Sequence, residues 1–89
     1  MDILEIEQKT IAVVGFCLSI DESKIRTRDT LSKLGADSLD MVEIFMELEE
    51  NFGIEFMPDY PNKIYFKSIS SISKYIMNIL IRNQNQINK

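Results

Sequence analysis

The chain has 89 residues, 45% of them hydrophobic, with one cysteine, no histidine and a formal net charge of −4. That length makes one domain with a modest core. A single cysteine excludes an intrachain disulfide, and the lack of histidine excludes an imidazole general base and the usual His/Cys zinc site.

The first residues, Met1-Asp2-Ile3-Leu4-Glu5, lack a basic stretch followed by a long apolar run, so a signal peptide is not expected. No segment approaches the ~20 apolar residues needed to span a bilayer. The expected setting is soluble, reducing and cytoplasmic. The first helix is predicted from about Ile3 to Leu18, capped by Asp2, with Glu5 and Glu7 at the positive end of its dipole. Ile3, Ile6, Thr10, Val13, Val14 and Cys17 recur at helical spacing and mark its inner face. Cys17 reads as a small apolar core residue. Gly15 either weakens this helix, by up to ~1 kcal/mol relative to Ala, or permits a close approach of a neighbour.

A long connection follows, from about Ser19 to Ala36. Asp21-Glu22-Ser23 suggests a short turn within it, and Ile25 and Leu31 are expected to anchor it on the core. The second helix is predicted from Ser38 to about Asn51, stopped by Gly53. After Pro58, Pro61 suits the start of a short third helix near Asn62 to Phe66. The last helix is expected to open at the N-cap Ser68 and run to about Arg82, with Ile69, Ile72, Ile76, Ile79 and Leu80 as its apolar stripe. This gives one domain over 1–82 and a polar tail over 83–89, expected to be disordered. Ile54-Glu55-Phe56 alternates but is too short for a sheet. The predicted class is all-α: a four-helix bundle with three main helices, one short third helix and a long loop between the first two.

Charge is segregated along this layout. Leu34 to Asp59 holds eight acids and no base, whereas Tyr60 to Lys89 holds five bases and no acid. The acidic middle would steer a basic partner and argues against nucleic acid, whose phosphates it would repel. Acidic runs are more often merely solvated helix faces, so charge alone leaves both readings open. Periodicity adds a second observation. On a helical wheel, Met41, Ile44, Phe45, Leu48 and Phe52 form the core face of the second helix. Leu39, Val42 and Met46 form a separate apolar stripe, bordered by Asp40, Glu43, Glu47 and Glu50. The stripe either docks a partner protein or packs beneath the long loop, and periodicity does not decide between them.

The segment Leu34-Gly35-Ala36-Asp37-Ser38-Leu39-Asp40 reads as a tight turn running into a helix start. Gly35 permits the turn and Asp37 can cap the helix. Ser38 falls in the first turn, where free N–H groups and the dipole favour a phosphate. Most serines at such positions are only caps. The surrounding residues are more specific. Leu-Gly-Ala-Asp-Ser-Leu-Asp, continuing Met41-Val-Glu-Ile-Phe-Met-Glu-Leu-Glu-Glu-Asn-Phe-Gly-Ile-Glu-Phe56, resembles the centre of acyl carrier proteins of the fatty acid synthesis type. The resemblance is clear from Leu31 to Phe56 and fainter over most of 3–80.

The resemblance implies that a phosphopantetheinyl transferase moves 4′-phosphopantetheine from coenzyme A onto Ser38 Oγ, and that the arm's thiol then carries acyl groups as thioesters. The implied chain is a carrier and not an enzyme. No nucleophile–base set, phosphate-cradling glycine loop or calcium loop stands against that. Asp37, Leu39, Asp40, Val42, Glu43, Met46 and Glu49 match the family's partner-recognition helix, and Glu47 borders the same stripe. The implied partners are the transferase and acyl-processing enzymes with basic docking surfaces, met by a monomeric carrier. The chain departs from the family where Arg26 and Arg28 precede the motif, and where Lys63 and Lys67 stand in a region that is commonly acidic. Those departures raise a dedicated carrier for a specialised pathway as an alternative. A helical scaffold without an arm is the other.

Overall fold

Each helix begins where a side chain accepts the first free backbone N–H groups. In a computed structural model that describes residues 1–58 and 67–87, and of 85–87 the backbone only, α1 spans Ile3–Leu18, α2 Ser38–Phe52 and α3 Ile69–Ile87. Asp2 caps α1 by accepting the Glu5 N–H at 2.9 Å. Ser68 caps α3, its Oγ accepting the Ser71 N–H at 3.1 Å. A 3-10 turn at Glu22–Lys24 sits where the Asp21-Glu22-Ser23 signal places it. The predicted short helix near Asn62 to Phe66 lies outside the described residues. Two helix ends run beyond their predicted stops: α2 to Phe52 and α3 past Arg82 to Ile87. Residues 83–87 contain neither glycine nor proline, so nothing local breaks the last helix there.

α1 packs against both α2 and α3. The interior is filled by Ile6 and Val14 from α1, Ile44 and Leu48 from α2, and Ile69, Ile72 and Ile76 from α3, all fully buried. Loop anchors Ile25 and Leu31 are buried with them, as the sequence predicts. Two hydroxyls, of Thr10 and Ser73, are fully buried in this apolar interior. Each donates one turn back along its own helix, Thr10 Oγ1 to the Ile6 carbonyl at 2.7 Å and Ser73 Oγ to the Ile69 carbonyl at 2.8 Å. Neither therefore carries the cost of an unsatisfied buried polar group.

The two irregular segments are tied down differently. After α2, Ile54 and Phe56 are buried, and the Phe56 ring lies 4.5 Å from that of Phe45 and 5.6 Å from that of Tyr75, centre to centre. Tyr75 Oη accepts the Met57 N–H at 3.1 Å. The alternation at 54–56 thus marks core anchors and not a strand. The loop between α1 and α2 is held by the start of α3. Ile69 N–H donates to the Asp29 carbonyl at 2.9 Å, Ser70 N–H to the Thr27 carbonyl at 2.8 Å, and Thr30 pairs with Ser68 in an isolated antiparallel bridge. Inside the loop the nearly buried Asp29 accepts from Arg26 N–H at 2.8 Å and from Lys33 Nζ at 3.2 Å.

Candidate functional site

The turn before α2 is built around Gly35, whose φ of +87° lies in the left-handed region that side chains disfavour. Ala36 is buried, and its N–H donates to the Leu31 carbonyl at 3.1 Å, which fixes the approach to the helix. A reciprocal cap follows. Asp37 Oδ1 accepts the Asp40 N–H at 2.8 Å, and Asp40 Oδ2 accepts the Asp37 N–H at 2.9 Å. Ser38 is the first residue of the helix and is exposed. Among the described residues no side chain bonds its hydroxyl, and the Ser38 and Leu39 N–H groups have no acceptor. The geometry presents a solvated hydroxyl beside two open N–H groups at the positive end of a helix.

The second stripe of α2 is on the surface. Leu39 is 79% exposed, Met46 62% and Val42 56%. The long loop does not cover them, because its anchors reach the core and its backbone is bonded to α3. Of the acids around the stripe, Glu43 and Glu50 are exposed and Glu47 is half-buried. Glu49 is also half-buried, and its Oε2 accepts the Phe56 N–H at 2.9 Å, so that oxygen is committed within the fold. Asp37 and Asp40 each commit one oxygen to the cap.

The acidic field is felt by Cys17 on α1, which is half-buried. Burial first, and then the carboxylates of Glu43 and Glu47, push its thiol up to about 11. It is therefore a protonated thiol at neutral pH and a weak nucleophile.

Comparison with known proteins decides what this arrangement belongs to. A family model described as the C-terminal ACP domain of the highly reducing polyketide synthase sdgA matches residues 1–89. An acyl carrier protein of Rickettsia massiliae is 42% identical over 73 residues, covering 81% of this chain and 83% of the relative. One from Thermosynechococcus vestitus is 37% identical over 75 residues, covering 83% and 90%. The chain belongs to the acyl carrier protein family.

Two features of this acyl carrier protein go beyond what its sequence settles. Arg26 and Arg28 adjoin Thr27 and Asp29, whose carbonyls bond the first turn of α3, and Lys67 immediately precedes the cap of that helix, Ser68. The three exposed bases are therefore gathered in one region of the backbone; Lys63 lies outside the described residues. Phe16 on α1 is 79% exposed and lies away from the inner face of its helix. No helix among the described residues is long and apolar enough to cross a membrane.

Proposed function

We propose that this chain carries acyl groups of fatty acid or polyketide synthesis as thioesters on a 4′-phosphopantetheine arm attached to Ser38. The observation that carries the reading is the exposed Ser38 hydroxyl at the first turn of α2, beside an exposed apolar and acidic stripe. The arm, when attached, supplies the thiol that forms the thioester. This chain's residues orient the attachment point and present it. The capping box fixes the direction of the first turn, and the open N–H groups of Ser38 and Leu39 favour a phosphodiester there by ~0.3–1 kcal/mol. Leu39, Val42 and Met46 offer contact area to the transferase and to acyl-processing enzymes, while Asp40, Glu43 and Glu47 attract their basic surfaces. The basic region of Arg26, Arg28 and Lys67 supports a partner set of its own for this carrier.

The test is intact-protein mass after incubation with coenzyme A and a broad-specificity phosphopantetheinyl transferase. The expected outcome is a gain of one phosphopantetheine, absent from Ser38→Ala. A folded wild-type chain that gains nothing, under conditions that modify a control carrier, favours an armless scaffold instead.

A further inference from the structure

Between α1 and α2 lies a surface groove of about 250 Å³, lined by Lys9, Ala12, Val13, Phe16, Glu47 and Asn51. Phe16 stands at its edge and is as exposed as Leu39. A single exposed apolar residue is ordinary on a protein surface. Phe16 is not isolated in that sense. It lines the groove together with Glu47, which places this end of α1 against the acidic edge of α2. On the wheel of α2, Glu43 and Glu50 separate Leu39, Val42 and Met46 from the Glu47 and Asn51 side that faces the groove. The surface is thus an acidic ridge with an apolar border on each side: three α2 side chains along one flank and Phe16 along the other.

We propose that Phe16 is the second apolar contact of the docking surface, and that the surface receives an amphipathic helix of a partner protein. That helix carries Lys or Arg along its middle, against Glu43 and Glu47, and apolar side chains on both borders. The inference rests on the reading of α2 as a docking face. Charge complementarity selects a basic occupant over an acidic one, and the groove's volume suits a few side chains more than a whole small ligand. The far end of the groove is marked by Lys9, whose ammonium lies 5.8 Å from the centre of the Phe52 ring. One end of the groove is therefore acidic and the other cationic, so the partner helix has one favoured direction, its basic middle against Glu43 and Glu47 and no base at the end that meets Lys9.

The probe is the phosphopantetheinyl transferase, with kcat and KM measured separately for Phe16→Ala, Phe16→Leu and Met46→Ala. Phe16→Ala is expected to raise KM for the carrier about tenfold at unchanged kcat, the loss of one aromatic contact. Phe16→Leu restores part of it, and circular dichroism of each variant matches wild type. If Met46→Ala raises KM and Phe16→Ala does not, the second border is wrong and docking on α2 stands. If Ser38 is modified with the same KM in all variants, the docking reading itself fails. If sedimentation shows a dimer that Phe16→Ala dissolves while KM is unmoved, the occupant is a second copy of the chain and the proposal is overturned.

Discussion

Asp29 is an acid placed for the loop and not for a partner. The Arg26 N–H, and then Lys33 and Arg28, hold its carboxyl below the usual carboxylate range against the opposing effect of burial. A depressed carboxyl contributes stability above the pKa of the unfolded chain, and that contribution disappears as pH falls through the folded value. Asp29→Asn is therefore expected to melt at a lower temperature than wild type at pH 7. The gap should narrow on acidification below about pH 4, in thermal unfolding followed across pH. A constant gap would mean that the side chain's shape matters and its charge does not. The sequence shows Asp29 only as one acid among several bases. Its role depends on a backbone N–H three residues earlier and on a lysine four residues later, both brought inward by Ile25 and Leu31. By contrast, Asp2, Asp37 and Ser68 could be read directly, because a cap acts within three residues of itself.

At the scale of elements, Gly15 shows where local propensity and packing disagree. Alanine is the better helix former by ~1 kcal/mol, which alone would stabilise α1. A Cβ at this position would lie 2.8 Å from the Ile20 carbonyl oxygen, a backbone atom held by the turn that leaves the helix. That turn is itself bonded to Gly15, whose carbonyl accepts from the Ile20 N–H at 2.9 Å. Overpacking of this kind costs about 1–3 kcal/mol. Gly15→Ala should therefore lower the melting temperature, by about 4–8 °C for each net kcal/mol lost. A higher melting temperature would show that the turn yields. The helix spans of α1 and the start of α2 were legible because capping residues and periodicity agree there. The fate of the second α2 stripe was not, since wheel position cannot say whether a loop lies above it. What decides it is the loop's attachment to α3, set by contacts between residues about forty positions apart in the chain.

For the whole molecule, the distribution of charge matters more than its sum. The acids of α2 surround Leu39, Val42 and Met46, while Arg26, Arg28 and Lys67 collect where the loop meets α3. A basic partner is thus drawn toward the face that carries Ser38 and away from the opposite sign. Raising salt from about 0.1 M to about 1 M shortens the screening length from ~10 Å to ~3 Å. The transferase's kcat/KM is expected to fall several-fold over that range, while the ratio between wild type and Met46→Ala stays nearly constant. A salt-independent rate would assign the acids to solvation alone. The charge separation was legible in the sequence as two runs of opposite sign. The gathering of Arg26 and Arg28 with Lys67 was not, because it follows from the pairing of Thr30 with Ser68.

That pairing also determines how the molecule bears load. The backbone contacts between 27–30 and 68–70 close the chain into a ring, and Ser38 with all of α2 lies inside it. Force applied at Ser38 does not act on a strand with a loose end. The tension divides between the two sides of the ring and meets at the first turn of α3, where the loop's carbonyls hold the helix's leading N–H groups. In a chain with no disulfide, these hydrogen bonds do the work of a cross-link, and they anchor the serine from both directions at once.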